Sequence, residues 1–546
     1  MSSNSLELEV LGPGKTTVAI TTGVATRDVE NGRLTLRDQR GVARETQNRE
    51  DEDVLARFGK KQQLTRRFKY LSSIAFNMSI MLTWEVVLLS IQFGLTNGGP
   101  AALIYGFIAA WFGSILQALV MAELSSMIPL AGGAFNWVAV LSPEWCRKFL
   151  SYLTGWLTVI SWQVFMADVV FVCSSVLQGL VILTHPEYEP KLWHATLIFY
   201  AILALGLFFN GYLGRFLPRI ESICLLFYII GFFGIVIPLA YLGKRRTAKE
   251  VFGTFQNLGG WDSMGLSFFI GWITSTSSFL GVDGADHIAE EIQSAASVIP
   301  FSIWFSTAVN GAFGLGILLA VLFATEDFVA ASTSATGFPF MDIFTSALGL
   351  DVASALIIVT SVVNIFSVNS LLATASRTLW AFSRENGLPF SSFLVKVQPK
   401  TRLPINANLT SIGINVLLAL ISVGSTAAFQ AFFSVAVAAY YSSFFIAACV
   451  MLHKRLTTPE TELPWGPFRL GRMGVPITIG ALIYTTLAVF FSFWPSVTPV
   501  NAVSMNYASL IFGGFMVICL AFWFIHGRKV YIGPIWEFDG EYIRTN

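Results

Sequence analysis

From about residue 70 onward, stretches of about 20 apolar residues recur along this chain, separated by short polar segments. A helix of that length crosses the hydrocarbon core of a bilayer. Lipid offers the backbone no hydrogen-bond partners, so a spanning segment must satisfy its own N–H and C=O groups, as a helix does. Twelve such stretches can be counted. The sequence therefore predicts an all-α membrane protein with about 12 transmembrane helices.

The charged residues are distributed unevenly along the chain. Only 12% of the 546 residues are charged, and the mean hydropathy is +0.65. Of the 67 charged residues, 23 lie within the first 70 positions. Residues 1–66 lack a sustained apolar period and are predicted to be a disordered cytosolic tail. Residues 71–526 are predicted to form the transmembrane domain, and residues 527–546 a second cytosolic tail.

Lysine and arginine in the loops predict the orientation. With the N-terminus in the cytosol, thirteen of them fall in loops on the cytosolic side and five in loops on the outer side. Cytosolic loops of membrane proteins carry an excess of Lys and Arg. Both termini are therefore predicted to be cytosolic.

Two of the twelve spans are interrupted by polar residues. The first, at 71–95, carries Glu85 within an apolar run, and the sixth, at 262–291, is broken by Ser, Thr and Gly. Their separation by five spans predicts two five-helix repeats, followed by two additional helices; the boundaries are 71–243, 261–453 and 475–526. Inverted repeats bring such breaks together near the bilayer midplane, where secondary transporters bind their substrates. The pattern predicts a secondary transporter.

The first interrupted span offers two candidate substrate-binding residues, Trp84 and Glu85. A carboxylate at membrane depth is costly and usually faces a cavity, a partner or a transported cation. The ring of Trp84 can receive a cation, including a quaternary ammonium group. The alternative for Glu85 is a buried carboxyl that is protonated or hydrogen-bonded to a neighbouring helix.

The sixth span offers four further candidates for substrate binding: Ser277, Phe279, Gly281 and Asp283. Glycine permits unwinding, and Ser can satisfy freed backbone groups. Phe279 could cover a bound ligand. Asp283 could contact the substrate or carry a proton, and a structural hydrogen bond is the alternative.

Ion coupling has four candidates, of which Asp283 is one. The others are Asp168 in the third span and Asn364 and Ser367 in the eighth. In a five-plus-five scaffold the third and eighth helices flank the interrupted ones, so these side chains could line the pathway. For Asn364 and Ser367, polar contacts between helices are the competing explanation.

Several longer stretches resemble a known family. They are MAELSSMIPLAGGAFNW at 121–137, FLSYLTGWLTVISWQ at 149–163, FLGVDGADHIAEEI at 279–292 and SRTLWAFSRENGLPFS at 376–391. These stretches resemble the fungal amino acid/choline transporters of the amino acid–polyamine–organocation superfamily. The resemblance implies a LeuT-type fold, alternating access and proton-driven symport of a small nitrogenous solute. Choline, γ-aminobutyrate, polyamines and amino acids are the expected substrate classes, and the plasma membrane, or else the vacuolar membrane, is the expected location.

The chain departs from the superfamily pattern in the first span. Many members hold a substrate carboxylate with a glycine-rich break there, whereas NMSIMLTWE at 77–85 contains no glycine. This departure favours a choline-like cation over an α-amino acid. Import or export of a fungal secondary metabolite or its amino-acid precursor is an alternative, and a non-transporting nutrient sensor is another. We expect no enzyme activity, no cofactor and no metal site, because the sequence shows no nucleophile–base or metal-ligand motif.

Overall fold

The apolar spans fold as helices in the structure of the protein, a computed structural model. The structure describes residues 8–10, 16–20, 23–25, 36–334, 336–424, 426–502, 504–531, 533, 536–538 and 541–543. The chain divides into two compact units, Met1–Arg57 and Phe58–Asn546.

The first unit contains three short strands and one helix. The strands β1 (Leu8–Val10), β2 (Thr16–Ile20) and β3 (Gly23–Ala25) form an antiparallel sheet in that order. They are followed by α1 (Leu36–Arg57), a charged helix. These elements fall within the predicted disordered tail, and the remaining residues of 1–35 lie outside the described residues. Disorder of residues 1–66 stays a prediction.

The second unit is a bundle of helices. Its first half contains α2 (Tyr70–Met81), α3 (Thr83–Thr96), α4 (Gly99–Met127), α5 (Ala134–Leu141), α6 (Glu144–Thr184), α7 (Leu192–Gly211), α8 (Leu217–Leu242) and α9 (Ala248–Gly253). Its second half contains α10 (Met264–Ser277), α11 (Ala295–Ala324), α12 (Phe328–Ala331), α13 (Pro339–Leu348), α14 (Leu350–Arg384), α15 (Ser391–Leu394), α16 (Ile405–Gly424), α17 (Thr426–Thr457), α18 (Gly474–Ser492), α19 (Ala508–Phe522) and α20 (Arg528–Val530).

Short strand pairs and short helical segments connect these helices. The strands β4 (Asn97–Gly98) and β5 (Gln256–Asn257) pair antiparallel, as do β6 (Trp536–Phe538) and β7 (Glu541–Ile543). The short helical segments are the 3₁₀ segments Gly214–Phe216, Asp286–Glu291, Glu460–Glu462 and Gly471–Met473 and the π-helical segment Trp523–Gly527. Part of the predicted C-terminal tail at 527–546 lies outside the described residues.

The all-α membrane fold is confirmed. Ten helices among the described residues are long and apolar enough to cross a membrane. An eleventh, α16, contributes a shorter apolar stretch at Ile405–Ile421. The predicted sixth span is α10, whose 14 residues are too few to cross by themselves because the chain unwinds after Ser277.

The interrupted first span lies at the centre of the bundle. The apolar window of Tyr70–Thr96 is 94% buried within protein, whereas that of Ala508–Val530 is 17% buried. Helices α7 and α8 also keep most of their apolar surface outside the protein, at 28% and 33% buried. The peripheral helices therefore present their apolar side chains to lipid, and α2 and α3 present theirs to other helices.

The helical bundle has two ends, which we call the proximal end and the distal end. The proximal end contains Phe68, Glu291 and Arg384, and the distal end contains Thr96, Ser334 and Trp494. Contacts such as the hydrogen bond from Gln92 Nε2 to the carbonyl of Ser332, at 3.0 Å, link elements at the distal end. The predicted orientation puts the proximal end in the cytosol.

Candidate functional site

The first interruption is a single left-handed residue. Leu82, with φ of 50°, ends α2 and begins α3. Left-handed conformations are uncommon outside glycine, and for a bulky residue they carry strain that the surroundings must support. The break therefore falls within the predicted first span without any glycine to mark it.

The second interruption is longer. Helix α10 ends at Ser277, and regular structure resumes only with the 3₁₀ turn at Asp286–Glu291. Gly281 has φ of +84°, and a Cβ atom there would lie 2.5 Å from Cγ2 of Ile80 on α2. A Cβ at Gly284 would lie 2.6 Å from Cδ1 of the same isoleucine. The two interruptions are thus in direct contact, and both glycines allow that approach.

Side chains of the first interrupted helix hydrogen-bond the unwound backbone of the second. The hydroxyl of Thr83 donates to the carbonyl of Ser278 at 2.8 Å. Asn77 donates to the carbonyl of Val282 and accepts from the N–H of Ala285, both at 3.1 Å. Unwound backbone is tolerated at membrane depth where protein groups or a cavity satisfy it, and these contacts supply part of that satisfaction.

A cavity of about 810 Å³ lies beside the interruptions and extends to the distal end, where its lining residue Met505 is 42% exposed. Residues from α3, α6, α10, α14, α17 and α18 line it, together with residues of the connecting segments such as Ser334, Gly337 and Ser504. Polar lining side chains include Ser90, Gln92, Asn97, Ser175, Thr274 and Asn506, and aromatic ones include Phe93, Phe165, Phe171, Phe338, Phe433, Phe491 and Trp494.

Asp168 is the one ionisable side chain among the described residues that line this cavity. It is 9% exposed and lies on α6 one turn after Phe165, which lines the cavity too. No described residue forms a hydrogen bond or an ion pair with its carboxyl group. A carboxylate in this position creates a negative potential that a cationic ligand can neutralise.

Three further predicted residues can now be placed. Ser277 and Asn364 both line the cavity. The hydroxyl of Ser277 donates to the carbonyl of Thr274 at 2.8 Å, and the amide of Asn364 donates to Thr360 at 2.9 Å. Ser367 is buried, is absent from the lining and donates to its own helix at 3.2 Å. The structure thus brings Asp168, Ser277 and Asn364 to one cavity.

Trp84 and Glu85 lie outside the described lining of the cavity. Trp84 packs against Tyr228 of α8, with ring centroids 5.6 Å apart, and is fully buried. Glu85 is also fully buried, and neither of its carboxyl oxygens has a hydrogen-bond partner among the described residues. Their assignment to substrate binding stays a prediction, and the structure places them on the side of α3 that faces other helices.

Phe279, Gly281 and Asp283 belong to the unwound segment itself. Phe279 packs against Phe107 of α4 at 5.4 Å and is 1% exposed. Asp283 Oδ2 lies 3.2 Å from Nε2 of His287, whose Nδ1 lies 3.1 Å from the carbonyl of Ala131. A carbonyl only accepts, so Nδ1 carries a hydrogen, and the Asp283–Nε2 contact must contain a second proton. The pair therefore ties the unwound segment to the 128–133 loop.

Buried ion pairs close the proximal end. Nε of Arg377 lies 2.8 Å from Glu291, and Arg384 lies 2.7 Å from Glu290; all four side chains are at most 3% exposed. Lys60 pairs with Glu385, and these two side chains are equally buried. The N–H groups of Arg67 and Phe68 donate to the carbonyl of Glu291 at 2.8 and 2.9 Å. The segment before α2 is thereby fastened to the segment after α10.

Sequence reasoning missed this closure. Glu290, Glu291, Arg377 and Arg384 were visible as charges near predicted span ends, but their pairing joins residues about 90 positions apart. The cavity was missed as well, because most of its polar lining residues are isolated Ser, Asn and Gln side chains on different helices. The available signal for the ion pairs was the opposite charge of two groups: Glu290 and Glu291 at the end of the interrupted sixth span, and Arg377 and Arg384 at the end of the eighth.

The protein has the architecture of a secondary transporter. It is an all-α membrane bundle in which two interrupted helices touch, a cavity reaches one end and buried ion pairs lie at the other. Comparison with known proteins agrees with this class. Residues 68–517 match the family model described as amino acid permease. This chain belongs to the amino acid permease family, and its fungal relatives place it among transporters of the amino acid–polyamine–organocation superfamily.

Individual relatives cover most of the chain. It is 32% identical to a choline transporter of Saccharomyces cerevisiae over 472 residues, which are 85% of this chain and 82% of the relative. It is 29% identical to an uncharacterized amino-acid permease of Schizosaccharomyces pombe, over 91% of this chain and 92% of the relative. It is 27% identical to amino-acid permease 2 of Neurospora crassa, over 86% of each. The chain is thus a transporter of amino acids or organic cations and not an enzyme.

Proposed function

We propose that this protein is a proton-coupled symporter of a small organic cation of the choline class. The observation that carries the proposal is the composition of the cavity, in which Asp168 is the one ionisable residue among the described lining residues. When this carboxyl group is ionised, the described lining offers one negative charge and no positive charge to compensate it. A ligand with one positive charge would neutralise this carboxylate.

The aromatic residues favour a cation that accepts few hydrogen bonds. Phe165 lies one turn from Asp168 on α6, and the cavity is lined by further aromatic rings on α3, α17 and α18. Quaternary ammonium groups are bound by aromatic faces together with a carboxylate, since they cannot donate N–H hydrogen bonds. The similarity to the choline transporter of Saccharomyces cerevisiae supports the same class.

Other substrate classes fit the cavity less well. A polyamine carries several positive charges, whereas the described lining contains one carboxyl group. An α-amino acid needs a partner for its carboxylate, and the described lining contains neither Lys nor Arg. The left-handed break at Leu82 also lacks the glycines that let backbone N–H groups approach a carboxylate closely.

The transport cycle follows from the two ends of the bundle. In the conformation described, the cavity reaches the distal end while buried ion pairs close the proximal end. With the proximal end in the cytosol, this is an outward-facing state, and uptake requires the ion pairs to separate. Interrupted helices allow α2 to move relative to α3 about Leu82. Plasma-membrane location and cytosolic termini are part of the proposal.

The test is uptake of radiolabelled choline by proteoliposomes containing the full-length protein, with and without an inward proton gradient. We expect accumulation above the equilibrium level with the gradient and little inhibition by excess γ-aminobutyrate. Accumulation driven by a sodium gradient alone would contradict proton coupling. Choline binding without flux would favour a sensor, and the absence of both in folded protein would reject the cation class and move the search to amino acids and secondary metabolites.

A further inference from the structure

Glu221, on the second turn of α8, is a buried carboxyl group that the cavity and the proximal ion pairs do not use. Its side chain is fully buried. The hydroxyl of Ser370 on α14 donates to Oε1 at 2.8 Å, while Oε2 has no hydrogen-bond partner among the described residues. The hydroxyl of Ser79 on α2 faces the same carboxyl group but makes no hydrogen bond within normal limits.

Glu221 differs from the other buried glutamates near the proximal end in its lack of a basic partner. Glu123 pairs with Arg455, Glu290 with Arg384 and Glu291 with Arg377. Glu221 takes part in none of the ion pairs of the described residues. An isolated carboxylate in a low-dielectric interior is far less stable than the neutral acid. The closed arrangement therefore favours a proton on Glu221.

The groups that face Glu221 do not supply a charge either. Ser79 faces it from α2 and Ser370 from α14, and Cys224 lies one turn further along α8. Arg219, two residues earlier on α8, is exposed, and Arg377, two turns beyond Ser370, is paired with Glu291. The described side chains at this site are therefore one carboxyl group and two hydroxyls, and a proton on the carboxyl group makes the site neutral.

The position of Ser79 links this site to the transport cycle. Ser79 lies three residues before the break at Leu82, on the half-helix whose leading segment is fastened by the proximal hydrogen bonds. Separation of the proximal ion pairs would free α2 to move away from α8 and α14. Water would then reach Glu221 and stabilise the ionised carboxylate by solvating it.

We propose that Glu221, Ser79 and Ser370 form a proton-binding site that couples opening of the proximal end to proton release. This proposal rests on the proposed proton-coupled symport and names the residue that carries the proton. The step is a proton transfer only: the O–H bond of the carboxyl breaks, and the proton passes to water on the proximal side. Reprotonation of the carboxylate from the distal side completes a cycle driven by an inward proton gradient.

The first test compares wild type with Glu221→Gln in proteoliposomes. Choline-for-choline exchange needs no net proton movement, so the variant should retain it, whereas gradient-driven accumulation should fall to the level seen without a gradient. Glu462→Gln, which alters an exposed glutamate, is the matched control and should retain both activities. Gradient-driven accumulation by Glu221→Gln that equals that of wild type would overturn the proposal.

A spectroscopic measurement keeps the proposal testable if Glu221→Gln exchanges poorly or choline is not the substrate. Infrared difference spectra of full-length protein, wild type minus Glu221→Gln, should contain a protonated-carboxyl band that disappears with rising pH. Its absence at all pH values would overturn the Glu221 site while leaving the proposed function intact. Conversely, wild-type protein with that band and no choline transport would reject the proposed substrate alone.

The second variant is Ser370→Ala, which removes the hydroxyl that donates to Glu221. The charged carboxylate loses a hydrogen bond, so the proton should leave at higher pH, and both the infrared transition and the pH profile of uptake should move upward together. A purely structural role for Ser370 would lower the amount of folded protein without moving either midpoint. Unmoved midpoints in folded Ser370→Ala protein would contradict the site.

Discussion

The distal cavity and the proximal ion-pair cluster differ in how their buried acidic side chains are compensated. At the distal side, Asp168 lines a cavity of about 810 Å³ and has no partner among the described residues. At the proximal side, Glu290 and Glu291 are 3% and 2% exposed, and each is paired with an arginine. A buried charge must be compensated. Arginines thus compensate Glu290 and Glu291, whereas Asp168 in the cavity, like Glu221 nearer the proximal end, has no basic partner among the described residues. We propose that a ligand compensates Asp168.

The largest expected effect comes from breaking the proximal pairing with Arg377→Met. Removing one partner of a buried ion pair costs about 3–5 kcal/mol, because the remaining carboxylate is buried without compensation. The conformation in which the proximal end is closed should therefore become much less populated. We expect faster labelling of Cys224, which is 3% exposed and lies near Glu221, by a water-soluble thiol reagent.

The control for that experiment is Arg469→Met, which breaks the exposed pair between Arg469 and Glu460. Surface ion pairs contribute little, about 0–1 kcal/mol, so labelling of Cys224 should stay at the wild-type rate. Peptide mass spectrometry distinguishes Cys224 from the more accessible Cys449. Equal labelling of Cys224 in wild type and Arg377→Met would show that the ion pairs do not hold the proximal end closed.

The next largest effect should come from removing the distal charge with Asp168→Asn. A hydrogen bond or contact with a charged group contributes about 1.5–3 kcal/mol, so we expect the KM for choline to rise about 10- to 150-fold. Ser175→Ala, which changes a neutral residue of the same cavity, should change KM by less than about threefold. A KM unchanged by Asp168→Asn would remove Asp168 from the cation site.

A smaller effect, on stability, should follow from Gly281→Ala at the contact between the interruptions. The new Cβ would lie 2.5 Å from Ile80 on a backbone with φ of +84°. Strain of this kind costs about 1–3 kcal/mol, and the thermal unfolding temperature in detergent should fall. Gly265→Ala is the matched control, because Gly265 lies on α10 with open space around its Cβ position. Equal unfolding temperatures for the two variants would contradict close contact between the breaks.

The smallest effect is expected for Glu85→Gln. Glu85 is fully buried outside the described lining of the cavity, so a neutral side chain of the same shape should change the KM for choline by less than about threefold. The sequence alone predicts the opposite, since Glu85 is the carboxyl residue of the first interrupted span. A KM increase as large as that of Asp168→Asn would return Glu85 to the substrate site and weaken the comparison between the two halves.

The sequence predicted where the membrane helices are interrupted, because a polar residue in an apolar span is visible in one dimension. Both breaks occur in the predicted spans, at Leu82 and after Ser277. The sequence did not show which carboxyl residue lines the cavity. Glu85 and Asp168 are both isolated acids in apolar spans, and only the direction in which each helix face points separates a cavity from a helix interface.

What the sequence determined by itself is the class of the protein: apolar spans of sufficient length require a helical membrane fold, since lipid offers the backbone no partners. The stretches at 121–137, 149–163, 279–292 and 376–391 indicated the family as well. The tertiary structure alone decided which charges are compensated. Pairing of Glu291 with Arg377, and the exposure of Asp168 to a cavity, depend on contacts between residues far apart in the chain, and the cost of burying a charge depends on those contacts rather than on the residue type.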